Sequence, residues 1–173
     1  MARLHATFIA AAALLLGCGS VTASTPTLLW RDAKKVAVLC LVAPTRLLNN
    51  RDLQTDICRR VVANAARNAP LPVSEIAHGD PQVIASDTVA LLVHASVQAG
   101  PQRAPLVAFS IRPFRATAEQ TAQLFSAPPR AATLDANGAG GPALDAAIDA
   151  ALSETLPWRA DEAPSGTQPL VER

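Results

Sequence analysis

The chain is poor in residues that do chemistry. Three histidines occur in 173 residues, and one of them, His5, falls in a leader-like stretch. His78 and His94 remain, with no Cys-x-x-Cys or His-x-x-x-His spacing around them. The ligand pattern of a metal site is therefore missing, and solvent-facing or hydrogen-bonded structural roles suit both side chains. There is no Gly-x-Ser-x-Gly turn, the elbow on which many hydrolases present a nucleophile. The run Asn137-Gly138-Ala139-Gly140-Gly141 precedes a helix, as anion sites do. No Gly-Lys-Ser/Thr follows it, so it is not a P-loop. No cofactor is expected from these absences.

Charge of one sign is also lacking. Once Arg3 is set aside with the leader, basic and acidic side chains balance at fourteen each. A neutral chain has no electrostatic footprint for nucleic acid, and the sequence contains no polybasic run for a membrane surface. Arginines outnumber lysines thirteen to two and alanine is abundant. That bias suggests a GC-rich bacterial genome and carries no mechanism.

The longest apolar run lies at the start. Phe8 to Leu16 is unbroken but too short to span a bilayer. It follows the single positive charge of Arg3 and ends in Leu15-Leu16-Gly17-Cys18. This resembles the bacterial lipobox, with Leu at −3 and a small residue before the cysteine. The resemblance implies that residues 1–17 are removed, that Cys18 is acylated, and that residues 18–27 form a lipidated tether to the membrane. Gly19, where an aspartate would retain the protein in the inner membrane, implies the outer one. Val21-Thr22-Ala23 before Ser24 offers an ordinary secretory cleavage site instead, which would give a soluble periplasmic or secreted chain. Both readings take the protein out of the cytoplasm.

The remainder is one domain's worth of chain, residues 28–158, followed by a Pro- and Gly-containing tail without periodicity, residues 159–173. Its organising stretch is Lys35 to Asn68. Lys35 to Val42 is an apolar run of strand length, and its composition predicts a central strand covered on both faces or buried deeply on one. Asn50 then caps a helix with the stripe Leu53, Ile57, Val61 and Ala65. Leu71 to Ile76 is a short strand that Pro72 assigns to a sheet edge. Asp80-Pro81 opens a short helix. Thr88 to Gln98 and Leu106 to Arg112, bounded by Pro105 and Pro113, read as a hairpin. Thr117 and Gln120 suggest a capping box for a helix to Phe125. Arg130 to Leu134 offers one more strand. Pro142 opens a last helix with Leu144, Ile148, Leu152 and Leu156. The expectation is an α/β domain, in the sense of an α+β sandwich: one sheet of about four strands with helices mainly on one face.

This layout resembles the α/β N-terminal domain of the periplasmic TolB protein and of CsgG-type envelope lipoproteins. The features that carry it are Lys35-Val36-Ala37-Val38-Leu39 before a helix, Val73-Ser74-Glu75-Ile76, the hairpin strands and the Leu144 to Leu156 helix. It implies a role in an envelope assembly.

Cys40 lies on the first strand and Cys58 on the following helix. In an exported protein such a pair invites a disulfide. A helix packs about 10 Å from a sheet, whereas a disulfide needs Cα atoms within about 7 Å, so buried free thiols are the alternative. Arg59, Arg60 and Arg67 form a basic strip that Asp52 and Asp56 can partner, a pattern expected of a solvated helix face. Asp145 and Asp149 suit the start of the last helix.

The remaining candidate is a surface. Val89, Leu91, Val93, Ala95 and Val97 share one face of the hairpin. Ala90, Leu92, His94 and Ser96, with Ala108, Ser110 and Arg112, share the other, which mixes small, polar and charged side chains. The expected function is a non-enzymatic envelope lipoprotein that offers Leu92, His94, Ser96, Ser110 and Arg112 to an envelope protein or to the cell wall. A periplasmic ligand-binding module would need a pocket lined by Leu92, His94, Ser110 and Arg112. A hydrolase would need a nucleophile and base to converge there.

The leader makes a direct prediction. Labelled palmitate should enter the wild-type protein, and Cys18→Ala should move the chain out of the membrane fraction. An unlabelled chain beginning at Ser24 would show that the ordinary signal is used.

Overall fold

The structure, a computed structural model, describes residues 27–100, 104–118, 127–135 and 138–162. The leader, Cys18, Asn137, Gln120 to Phe125 of the expected short helix, and the tail from residue 163 lie outside the described residues.

One turn of helix, α1 (Thr27–Trp30), leads into β1 (Lys35–Val42), α2 (Asn50–Ala65) and β2 (Val73–Glu75). A 3-10 turn at Pro81–Ile84 precedes β3 (Thr88–Ala99), β4 (Pro105–Phe114) and β5 (Arg130–Thr133). Then come α3 (Pro142–Thr155) and a closing 3-10 turn, Pro157–Glu162. The strands form one mixed sheet in the order β2-β1-β3-β4-β5. β1 runs parallel to β2 and β3, and β4 runs antiparallel to β3 and β5. The fold is α/β, with five strands where the sequence suggested about four, because Arg130–Thr133 pairs with β4.

Local chemistry explains most of the boundaries. Asn49, not Asn50, caps α2: its side-chain oxygen accepts the Arg51 N–H at 3.1 Å while Asn50 is already helical. Asp80 caps the short turn through the Gln82 N–H at 2.8 Å, with Pro81 behind it. Pro72 precedes an edge strand of three residues. Pro105 and Pro113 lie inside β4, paired with Ala99 and Leu91, and do not bound it. At Pro113 the outer flank of β4 has no partner strand among the described residues, since β5 reaches only Phe109, so the missing N–H is tolerated.

Handedness then distributes the layers. A parallel crossover is right-handed in nearly all proteins. β1 to β2 moves one strand towards the edge and carries α2 over one face. β2 to β3 moves back across β1, so the same hand requires the opposite face. The chain obeys: Lys35, which alternates with the buried Val36 and Val38, donates from Nζ to Gln82 Oε1 of the 3-10 turn at 3.0 Å.

The core therefore lies on the α2/α3 side. Val36, Val38, Leu91, Val93, Val107 and Ile111 of the sheet meet Leu53, Ile57 and Val61 of α2 and Leu144, Ile148 and Leu152 of α3. Every one of these is at most 3% exposed. The apolar run of β1 is not covered evenly on both faces. Ala37 and Ala90 are buried, but Leu39 and Leu41 are only half-buried. The closing turn extends the domain beyond its expected end at Trp158. Arg159, expected in the tail, is 1% exposed and donates to the Asn64 carbonyl at 2.7 Å and to Asp149 at 2.6 Å. Trp158 stacks edge-on against Trp30 with ring centroids 5.2 Å apart, so the two ends of the domain pack together.

Cys40 and Cys58 are joined as a disulfide, with Cα atoms 5.7 Å apart. The 10 Å spacing refers to the helix axis. A Cα on the near side of the helix stands about 2.3 Å closer to the sheet, and two small facing side chains let α2 approach further.

Substitutions should separate the two faces. Ile57→Ala empties a fully buried site and should cost about 2–5 kcal/mol. Leu39→Ala, on the half-open face, should cost about 1 kcal/mol. Chemical denaturation measures both, and equal losses would mean that the outer face is core.

Candidate functional site

Pairing places the mixed-face residues in rows across three strands. Leu39, Leu92 and Arg112 form one row, and Leu41, His94 and Ser110 the next. Ser96 and Ala108 continue it with Ala131 of β5. Leu92, His94, Ser96, Ser110 and Arg112 are thus brought together on one face. His94 and Arg112 are exposed and the others half-buried. Leu39 and Leu41 also belong to this surface. Strict alternation with the buried Cys40 was the signal that could have found them; the uninterrupted apolar run of β1 concealed it.

Among the described residues, nothing from α2 or α3 covers this half of the face. The small side chains Ala43, Ser96, Ala108 and Ser110 leave a shallow concavity of about 480 Å³ between the ends of β1, β3 and β4. His94 and Ser110 line it, but Leu92 and Arg112 do not. The four-residue pocket expected for a ligand-binding module does not close as one site. Arg112 makes no ion pair among the described residues, and the outer-face rows contain no carboxylate.

Among the described residues, no hydrogen bond joins His94 to Ser96 or Ser110, and no carboxylate stands in their rows. His78 is exposed in the His78–Gly79 turn that follows β2. Among the described residues, no group of three or more His, Cys, Asp or Glu side chains is placed to hold a metal ion.

The charged strip of α2 serves another purpose. It is not a free solvated face. Arg60 donates to Asp56 at 2.9 Å, to Asp145 of α3 at 2.6 Å, and to the Gly140 carbonyl. Arg67 and Arg159 both donate to Asp149, the latter at 2.6 Å. Asp145 and Asp149 therefore bridge the two helices. Burial pushes the Asp56 carboxyl up, but hydrogen bonds from Arg60 and Arg59 outweigh it and hold the group below its ordinary value. The Asp145 hydrogen bond leads in raising the Arg60 value.

A carboxyl depressed on folding contributes stability above its unfolded value, about 3.9, and loses it as pH falls through the folded value. Asp56→Asn should therefore lower stability at neutral pH. The gap from wild type should narrow only below about pH 4. Denaturation at several pH values measures it, and a constant gap would deny the ionic link.

No protein family's sequence profile matches the chain, and no curated protein sequence does. Among solved structures, a PelC dodecamer from Paraburkholderia phytofirmans, carrying a single Leu-to-Met substitution, is similar at 12% identity and a TM-score of 0.37, over 71% of this chain and 89% of that one. A likeness at this level assigns no function, and it does not bear on the resemblance to TolB and CsgG-type proteins.

Proposed function

We propose that this protein is a non-enzymatic bacterial cell-envelope lipoprotein whose α/β domain binds a partner in an envelope assembly. The observation that carries the reading is the half of the sheet face where Leu39, Leu41, Leu92, His94, Ser110 and Arg112 stand in register without a covering helix among the described residues. A shallow surface of this kind, mixing leucines with one exposed arginine, suits another protein surface. The lipobox at Cys18 supports membrane attachment, with Gly19 favouring the outer membrane. The buried Cys40–Cys58 bond fits an oxidising compartment such as the periplasm. The partner is an envelope protein or the cell wall.

A small ligand is the second reading, supported by the concavity beside His94 and Ser110. Such a ligand would sit away from Arg112 and would tolerate its replacement.

The test is a photoreactive residue in place of Ser110 in intact cells, with one at the exposed Arg51 of α2 as control. Adducts should form at 110 and not at 51. Arg112→Glu should reduce them about tenfold, the weight of one lost charge contact of about 1.4 kcal/mol. Thermal stability should barely change, because an exposed charge contributes little to folding. His94→Ala should weaken adduct formation without ending it. Equal yields at 110 and 51 would remove the surface from consideration.

A further inference from the structure

We infer that the end of the domain at which the chain enters is a footing that rests on the bilayer surface. This rests on the reading that Cys18 is lipidated.

The first described element, α1, begins nine residues after Cys18. Fully extended, that stretch spans no more than about 30 Å, so the entry end of the domain stays close to the membrane. Two large aliphatic side chains are exposed at this end: Leu28 at 60% and Ile84 at 63%. The other exposed one among the described residues, Leu47, precedes α2 near the opposite end of the sheet.

Leu28 and Ile84 come from segments far apart in sequence, and Arg115 ties those segments together. This arginine is 8% exposed. Its Nη1 donates to the Leu29 carbonyl at 3.1 Å and to that of Arg31. Its Nε and Nη2 donate to the Ser86 carbonyl at 3.1 and 2.8 Å. One planar guanidinium thus holds the entry segment and the β2–β3 crossover side by side. Arg31 and Lys34, both exposed, flank the same corner, together with the exposed Asp32 and the half-buried Asp87. Aliphatic side chains that reach the headgroup boundary beside cations that meet anionic lipid are the composition of an interfacial contact.

The consequence is an orientation. Lys35 pairs with Thr88 at the footed end, and Leu41 pairs with His94 six residues further along β1. At about 3.3 Å per residue, the His94 row stands roughly 20 Å along the sheet from the footing. A domain seated on Leu28 and Ile84 holds its open sheet face clear of the lipid, available to a protein partner.

The experiment uses the full acylated protein in vesicles of phosphatidylethanolamine and phosphatidylglycerol whose acyl chains carry a nitroxide quencher. A fluorophore is placed on Ser86→Cys or, separately, on Ser110→Cys. Quenching at 86 should exceed that at 110 several-fold. Leu28→Ser with Ile84→Ser should bring the 86 signal down to that at 110 while flotation with the vesicles and the melting temperature stay unchanged, since both side chains are exposed. Equal quenching at the two sites in the floating wild-type protein overturns the footing, and stronger quenching at 110 means that the sheet face itself takes the bilayer. Failure of the wild-type protein to float at all would instead overturn the lipid reading, and the footing with it.

Discussion

The hand of the crossover between β2 and β3 decides what this molecule presents. β2 lies outside β1, and β3 lies on its other side. The return across β1 must pass over the face that α2 does not occupy. Only the twelve residues between Glu75 and Thr88 make that passage. They contain one 3-10 turn and cover the first half of β1 and β3, which is why Ala37, Thr88 and Ala90 are buried. They cannot reach the second half. A longer crossover helix would have closed the face; a short one leaves Leu41, His94 and Ser110 without a helix over them among the described residues.

The opposite face shows the contrasting solution. There the helices supply apolar stripes of matching length, and polar groups tie the helices to each other. Arg60 reaches from α2 to Asp145, and Asp149 gathers Arg67 and Arg159. Cys40 and Cys58 tie α2 to the sheet covalently. A layer held this way provides a rigid backing for the strands. The residues of the open face are therefore positioned by a core they do not belong to, so they are free to vary in chemistry without loss of the fold. Small side chains there, such as Ala108 and Ser110, leave the shallow concavity beside His94.

The two ends of the domain share one corner. Trp30 meets Trp158, and Arg115 binds carbonyls of both the entry segment and the crossover. The first described element, α1, enters at the covered end of the sheet, at the far end of β1 from the Leu41–His94 row.

Local chemistry made much of this legible in the residues themselves. Alternation gave the faces of β3 and β4, Pro72 marked an edge strand, Asp80-Pro81 started a short turn, and spacing-four leucines marked α3. These signals act over a few residues, where sterics and hydrogen-bonding capacity suffice. Tertiary structure decided the rest. Leu39 and Leu41 look like core in an unbroken apolar run, yet alternation with Cys40 puts them on the outer face, where no helix among the described residues covers them. Asn49 displaced Asn50 as the cap, a choice between adjacent residues of the same type that only the helix register resolves. Arg159 looks like the start of a polar tail but is buried, donating to the Asn64 carbonyl and the Asp149 carboxylate, 95 and 10 residues away. The ionic links of Asp145 and Asp149 and the approach of Cys58 to Cys40 depend on how closely α2 lies to its neighbours. Such contacts join residues distant in the chain, so no local pattern encodes them.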